Sequence, residues 1–370
     1  MPDLELFAEA NRQLVICNAC RYCEGYCPVF PALEARRVVT EGDVIFLAHL
    51  CHDCRACLDA CMYSPPHEFA VNLPKILTEV RIENYQRWSW PAFLARAFTE
   101  QRIGAMLVST TVSVVLVLTY FLAGRRTLFS IHTGPGSFYE IIPYTVMTAT
   151  AIGLCVYSAI VWFAGGGKFW CEATDSIRQH GSFKAFYLAL VDVLTLRGMK
   201  GGGPGCYYPK AEPSSSRRLC HTLVFYGFTF DLISTTLAWI YQDLMHRPPP
   251  YSLTSAPVIF GTIGGIALVI GVGGMLTLKV QSRREPTTSD SIGLDYLFLV
   301  SLGMTSLTGL VLLVFRSTPG MGILLAIHLG FVAAFFISAP YGKFVHAMYR
   351  SLALLRHRVE DLHHTQMKTH

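Results

Sequence analysis

The chain has 370 residues, of which 52% are hydrophobic and only 15% charged, and its formal net charge at pH 7 is +5. This length has room for a soluble module and a larger second part, and the composition places that second part in a membrane. The basic residues lie mainly in loops between apolar runs, which is typical of a topology signal and excludes a nucleic-acid-binding surface. The N-terminal stretch MPDLELFAEANRQ lacks the basic and apolar regions of a secretory signal, so we expect the first module to stay in the cytoplasm.

Cysteines dominate the beginning of the chain. Eight of the twelve cysteines lie in two runs before residue 62, and both runs have the spacing C-x2-C-x2-C-x3-C. This clustering argues against a secreted disulfide scaffold and for metal ligation in a reducing compartment. Four thiolates within eleven residues favour two 4Fe-4S clusters. The alternative is a pair of zinc sites, which usually combine two separated C-x2-C pairs.

The two runs are expected to exchange their last cysteines, because in two-cluster modules the fourth cysteine of a run ligates the other cluster. We therefore assign Cys17, Cys20, Cys23 and Cys61 to one cluster and Cys51, Cys54, Cys57 and Cys27 to the other. The segment between the runs, PALEARRVVTEGDVIFLAHL, is compatible with helix, so residues 1–100 should form an α-helical ferredoxin-type module. In CRYCEGYCPVF the module resembles the iron-sulfur subunits of succinate dehydrogenase and fumarate reductase. Nearby histidines, either tuning a cluster potential or merely solvated or capping, are His49, His52 and His67.

Apolar runs after residue 100 predict a six-span membrane domain over residues 101–355, followed by a cytoplasmic tail at 356–370. The predicted spans are 104–122, 139–163, 223–241, 258–278, 292–315 and 322–349. Six spans put both termini on one side of the membrane. The loops on that side carry sixteen Lys and Arg residues against four on the other, which predicts cytoplasmic termini in a bacterial inner membrane.

A long cytoplasmic loop, residues 164–220, connects the second and third spans. Its apolar stretch FKAFYLALVDVLTL is too short to span and contains Asp192, which predicts an interfacial or docking helix. The glycines of KGGGPGCYYPK are compatible with phosphate binding, but no strand-turn-helix context supports a nucleotide site. The isolated cysteines of this region, read as packed or free thiols, are Cys171, Cys206 and Cys220.

Histidines near the membrane domain are candidate haem ligands, because a ferredoxin-type module fused to helical spans needs a route for electrons into the bilayer. His221 begins the third span and His346 lies at the inner end of the sixth, so both have the same predicted depth and are expected to ligate one haem b. His328 lies 18 residues before His346. On a straight helix the two would share a face about 27 Å apart, but Pro340 between them weakens this argument.

A second haem, at His328, is left open by the sequence. Its partner would have to be His132 or His246, and both are expected in outer loops. The alternative for His328 is a packed, hydrogen-bonded histidine. Asp231 in the third span and Lys343 at the inner surface are candidate proton donors to a quinone, with structural ion pairing as the alternative for each.

The combination of two cysteine runs with RRLCHTLVFYGF and APYGKFVHAMYR resembles the tricarballylate-utilisation protein B family along nearly the whole chain. PYGKFVH is also similar to the haem helix of nitrate reductase gamma-type cytochromes, where the histidine ligates haem b; here that residue is His346. The resemblance implies a membrane partner for a separate FAD-dependent dehydrogenase that oxidises tricarballylate to cis-aconitate. The chain would pass electrons from the reduced flavin to the quinone pool.

Other functions are compatible with the same residues. The chain has no dinucleotide fingerprint, so the oxidised substrate is expected to bind elsewhere. The electron-transfer partner could equally serve another flavoprotein dehydrogenase, and a redox-regulated membrane transporter or a haem-free iron-sulfur anchor are further alternatives. The sequence also leaves open whether the chain forms a homo-oligomer.

Overall fold

The computed structural model describes residues 3–174, 182–201, 203 and 205–368, and it confirms a mostly α-helical protein. The cysteine runs lie in an N-terminal module of six helices: α1 (Leu4–Cys20), α2 (Val29–Glu34), α3 (Glu41–Leu50), α4 (Ala56–Asp59), α5 (Leu73–Trp88) and α6 (Ala92–Thr99). The remaining helices are α7 (Gln101–Leu128), α8 (Tyr144–Thr174), α9 (Phe183–Leu194), α10 (Ser216–Trp239), α11 (Ala256–Gln281), α12 (Ser289–Phe315), α13 (Met321–Ser338) and α14 (His346–Lys368). Short 3-10 helices cover Ser137–Glu140, Arg197–Lys200 and Lys343–Val345, a π-helical turn covers Ile240–Leu244, and β1 (Cys206–Tyr207) pairs with β2 (Pro213–Ser214).

Helix ends in the module position the cysteines. The Asp3 side chain accepts hydrogen bonds from the first backbone N–H groups of α1. At the other end, α1 stops at Cys20 because Arg21 adopts a left-handed conformation (φ 56°) and turns the chain back. α3 begins with a capping box between Thr40 and Asp43 and ends where Cys51 becomes extended. The first run therefore begins in the last turn of α1 with Cys17 and Cys20 and continues beyond it, and the second begins at the end of α3 and passes through the short helix α4, so closely spaced thiols can turn toward one another.

Among the described residues, six helices are long and apolar enough to cross a membrane, namely α7, α8, α10 with its π-helical turn, α11, α12 and α13. This is consistent with a multi-pass membrane protein.

Close approach of two of these helices depends on glycine. A Cβ at Gly271 of α11 would lie 2.9 Å from the Cys220 carbonyl of α10, and one at Gly264 would lie 2.8 Å from the Gly227 carbonyl. Small residues at such a contact let two backbones pack directly against each other.

The prediction that residues 322–349 form one helix was wrong. α13 ends at Ser338, and the Ser338 carbonyl accepts hydrogen bonds from Tyr341 and Gly342 in a tight turn. Pro340 lies in this turn and has no N–H with which to continue the helix. The chain then restarts as α14 at His346. His328 and His346 are therefore on different helices, and the argument that they share one helix face does not hold.

The module packs onto one end of the helical bundle through α14. An aromatic cluster joins Trp88 of α5, Phe169 of α8 and Tyr349 of α14 around the buried His49 ring. Residues 356–368, which the sequence suggested were a tail, continue α14 and pack against α3 and α9. The last helix of the chain is therefore part of the contact between the module and the membrane domain.

Candidate cofactor sites

The first cysteine group lines a cavity near the surface of the module. Its four members, Cys17, Cys20, Cys23 and Cys61, line this cavity, and the first of them is close enough to the other three to interact with them electrostatically. Cys57 of the second group also reaches the cavity wall. The exposed side chains of Tyr22 and Met62 lie at its edge. Burial, and then the neighbouring Cys61 thiol, raise the pKa of Cys17 to about 12. Four soft sulfur donors around one cavity fit the ligand set of a 4Fe-4S cluster.

The second cysteine group lies deeper and contains the fourth cysteine of the first run. Burial first, and then the nearby thiols of Cys51 and Cys54, raise the pKa values of Cys27 and Cys57 well above their ordinary value. Cys27 thus lies with the second run, while Cys61 lies with the first. Among the residues that the structure describes, no three His, Cys, Asp or Glu side chains converge on a point that could hold a single metal ion. The case for clusters therefore depends on the sulfur donor sets and their grouping.

A loop from the 164–220 region covers this second group. The Tyr207 N–H donates to the Cys54 carbonyl at 2.8 Å. Cys206 is fully buried beside Cys54, and its Sγ donates to the Met199 carbonyl at 3.3 Å. The glycine-rich stretch that suggested phosphate binding leads into this cover, although its residues 202 and 204 lie outside the described part of the chain. The sequence reading of Cys206 as an isolated thiol missed this contact.

His221 and His346 meet in the membrane-proximal interior. Their ring centroids are 6.4 Å apart, with ring planes at 77°. Two imidazoles on opposite faces of one iron would place their ring centres roughly 6 Å apart, because each metal–nitrogen bond is about 2 Å and a ring centre lies about 1 Å beyond its nitrogen. The Nδ1–H of His346 donates to the Lys343 carbonyl at 2.5 Å, which leaves Nε2 free to bind a metal. His221 Nδ1 is buried, and no described residue forms a hydrogen bond with it.

The cavity around these histidines is amphipathic and open to solvent on one side. Apolar side chains form one wall, among them Phe225, Phe228, Met275, Phe298, Leu302 and Phe344. Charged side chains line the other wall. A haem has an apolar macrocycle and a carboxylate edge, so the residues present fit haem b.

His52 connects the second cysteine group with this cavity. It follows Cys51 directly, lines the cavity, and donates from Nδ1 to the Leu50 carbonyl at 2.9 Å. Burial lowers its pKa well below the ordinary value, so the imidazole is neutral. The other two histidines near the cysteines do not line this cavity. His49 is enclosed by aromatic rings, and His67 accepts a hydrogen bond from the Phe69 N–H through Nδ1.

His328 is held by neighbouring helix α12. Its Nδ1 lies 3.2 Å from the Thr305 carbonyl and 3.3 Å from the Thr308 hydroxyl. The two proposed partners lie elsewhere: His132 bonds to Glu140, and His246 is exposed beyond the π-helical turn. Within the described residues, no second histidine ring contacts His328. This arrangement is that of a packed, hydrogen-bonded histidine.

The two candidate proton donors lie in different surroundings. Lys343 lines the histidine cavity and pairs with Asp295 at 3.1 Å, while Lys279 pairs with the other oxygen of the same carboxylate. Asp231 accepts a hydrogen bond from the Ser306 hydroxyl at 3.4 Å and is not part of the cavity wall. Sequence reasoning missed Asp295, although a carboxylate inside the apolar run SIGLDYLFLV is a recognisable signal of a functional or paired residue.

Comparison with known proteins shows the family to which the chain belongs. Residues 10–87 match the Fer4-like domain of citrate utilization protein B, and residues 99–366 match the family model of citrate utilization protein B. A curated relative, citrate utilization protein B of Escherichia coli, is 38% identical over 357 residues, which cover 95% of this chain and 92% of the relative. No solved structure matches the chain. With a Fer4-like module followed by an apolar helical domain, and with the matches extending over both, the chain belongs to the citrate utilization protein B family.

Proposed function

We propose that this protein is the membrane electron-transfer partner of a separate FAD-dependent tricarballylate dehydrogenase and delivers the electrons to the quinone pool. Family membership and the Fer4-like module indicate an iron-sulfur electron-transfer role. The six apolar helices support a location in the membrane, and the loop charges support cytoplasmic termini. The flavin and the tricarballylate are proposed to bind to the partner enzyme.

The residues proposed to hold the cofactors form a row, and this is the observation that carries the proposal. The surface cysteine group would hold one 4Fe-4S cluster and the deeper group the other, with Cys23 and Cys57 close enough to interact electrostatically. His52 then leads from Cys51 to the cavity where His221 and His346 would ligate one haem b. Clusters and haem exchange single electrons, whereas flavin and quinone exchange two, so a row of such centres connects the two kinds of chemistry.

Quinone reduction also requires protons. Lys343 is the better-placed candidate, because its ammonium group lines the cavity and is held by Asp295. Asp231 stays a candidate for a quinone that approaches between α10 and α12, where Ser306 contacts it. His328 stays a candidate ligand only for a second haem.

The proposal is tested with protein purified anaerobically in detergent. We expect iron and acid-labile sulfide for two clusters, one haem per chain, and a low-spin b-type absorption band that is reduced when reduced flavoprotein is added. Substitution of either proposed axial ligand, His221→Ala or His346→Ala, should abolish the band, while His328→Ala should keep it. A colourless preparation containing zinc or no metal would refute the proposal.

Cysteine variants test the order of the sites. Cys17→Ser and Cys54→Ser should each stop quinone reduction by the flavoprotein, while the dehydrogenase still reduces an artificial dye. Cys155→Ser is the matched control, because Cys155 is exposed on α8 and belongs to neither cysteine group. Quinone reduction that persists after both clusters are lost would contradict the proposed route.

A further inference from the structure

The histidine cavity contains more positive than negative charge. Six cationic side chains line it: Arg55, Arg81, Arg217, Lys279, Lys343 and Arg350. Only two carboxylates among the described lining residues face them, Asp53 and Asp295, which leaves an excess of four positive charges. Asp295 is already shared by both lysines. Buried charges are costly unless they are paired, so this excess of positive charge favours an anionic occupant of the cavity.

Two of these arginines stand one helical turn from the histidines. Arg217 precedes His221 by four residues on α10, and Arg350 follows His346 by four residues on α14. Residues four apart lie on the same face of a helix, so each histidine shares its face with one guanidinium group. Arg217 comes before its histidine in the chain and Arg350 comes after its histidine, but both arginines lie toward the cysteine module. Arg350 donates to the Cys51 carbonyl at 2.9 Å, and Arg217 donates to the Asp53 carbonyl.

Within the described part of the chain, neither guanidinium group has a carboxylate in bidentate contact. Arg350 Nε is buried, and no described residue accepts a hydrogen bond from it. The nearest carboxylate to Arg217 is Asp53, at 4.0 Å, and Asp53 also lies 3.7 Å from Arg55. At these distances the Asp53 carboxylate does not form the two parallel hydrogen bonds that a guanidinium group prefers with either arginine.

We propose that Arg217 and Arg350 each bind one carboxylate of a dicarboxylate cofactor held between His221 and His346. The inference rests on the proposed function, in which that cofactor is haem b, and it assigns the cofactor's orientation: the propionate edge faces the deeper cysteine group and the apolar edge faces Phe228 and Leu302. Arg217 and Arg350 are binding residues that act on the carboxylates and not on the iron.

The test compares haem b with its dimethyl ester, in which both carboxylates are neutral. Full-length protein is produced in haem-depleted cells and titrated in detergent with each compound, following the low-spin band. Loss of a charge-assisted, bidentate contact weakens binding by about 10- to 100-fold. The unsubstituted protein should therefore prefer haem b over the diester, Arg217→Gln and Arg350→Gln should each lose part of this preference, and the double variant should bind the two compounds equally.

Controls separate recognition from folding. Arg218→Gln removes a neighbouring charge on α10 that does not line the cavity, and it should keep the full preference. Arg350→Lys keeps the charge but not the fork, and it should recover only part of the preference. Iron and sulfide content reports whether the module is intact in each variant.

The outcomes distinguish this inference from the proposed function. If the unsubstituted protein forms a low-spin band with both compounds at equal affinity, or if the double variant keeps the preference, the role of the arginines is refuted while the haem site stands. If neither compound gives a band, the haem itself is refuted. If citrate binds in the cavity and no band forms, the occupant is a free tricarboxylate, which also overturns the inference.

Discussion

A buried charge network on α14 holds the cysteine module against the membrane domain. Arg36 pairs with Asp43 at 2.6 Å and with Glu360 at 2.9 Å, while Arg356 pairs with Glu360 at 2.8 Å and with Asp43 at 3.3 Å. The guanidinium groups of both arginines lie over the Phe46 ring. Because two positive and two negative charges balance, removal of any one of them leaves an unpaired charge in the contact.

Arg356→Met is the perturbation with the clearest expected magnitude. The Arg356 side chain is 2% exposed and its partners Asp43 and Glu360 are 6% and 7% exposed, so solvent does not replace the lost contacts. Removing one member of a buried ion pair costs about 3–5 kcal/mol. For a unit of about 100 residues, 1 kcal/mol lowers the melting temperature by about 4 °C or more, so we expect a decrease of roughly 12 °C or more.

The assay is thermal bleaching of the iron-sulfur absorbance in detergent, which reports unfolding of the module. Arg12→Met is the matched control, because Arg12 and Glu9 form an ion pair whose side chains are 44% and 40% exposed. An exposed pair contributes at most about 1 kcal/mol. The control should therefore bleach within a few degrees of the unsubstituted protein.

A double variant tests the reason for the loss. Glu360→Met added to Arg356→Met removes the unpaired negative charge and leaves the Arg36–Asp43 pair intact. The double variant should bleach at a higher temperature than Arg356→Met alone. If the double variant is instead less stable than Arg356→Met, or if Arg356→Met behaves as Arg12→Met does, charge balance does not hold this contact together.

Two further predictions concern the cysteine groups and their cover. Gly198→Ala should slow haem reduction, because a Cβ at this position would overlap the His52 ring; Gly153→Ala, with open space around it, is the control. Stopped-flow absorbance of the b-type band measures the rate, and equal rates in both variants would contradict a role for the His52 contact. Cys61→Ser should alter the same electron paramagnetic resonance signal as Cys17→Ser, since the Cys61 thiol lies close enough to Cys17 to raise its pKa. If Cys61→Ser instead alters the same signal as Cys57→Ser, the exchange of cysteines between the runs is refuted.

Much of the fold could be predicted from the sequence because its signals are local. The spacing within each cysteine run is itself typical of cluster ligands, and each apolar run is long enough to be recognised as a membrane span without reference to the others. The grouping of Cys61 with Cys17 was also predictable, because it follows from how paired runs share ligands. These features do not depend on contacts between distant elements.

The features that were missed depend on such contacts. Whether Pro340 kinks a helix or ends it is decided by the surrounding packing, and here the turn that ends α13 reorients His346 toward His221. The contact of Arg356 with the cysteine module was equally hidden, since its partner Asp43 lies 313 positions earlier in the chain. The four-residue spacing of Arg217 and Arg350 from the histidines is visible in the sequence. Its significance became clear only once the structure showed that the two histidines face each other.

The position of α14 has a consequence for biogenesis. His346, Arg350, Arg356 and Glu360 all lie within the last 25 residues of the chain. Proteins emerge from the ribosome with the N-terminus first, so the cysteine module is synthesised before the six apolar helices and its docking helix after them. The module can join this helix only after every intervening hydrophobic segment has been made. A nonsense codon placed just before α14 would therefore remove the proposed haem ligand His346 together with the anchor of a module that had already been synthesised.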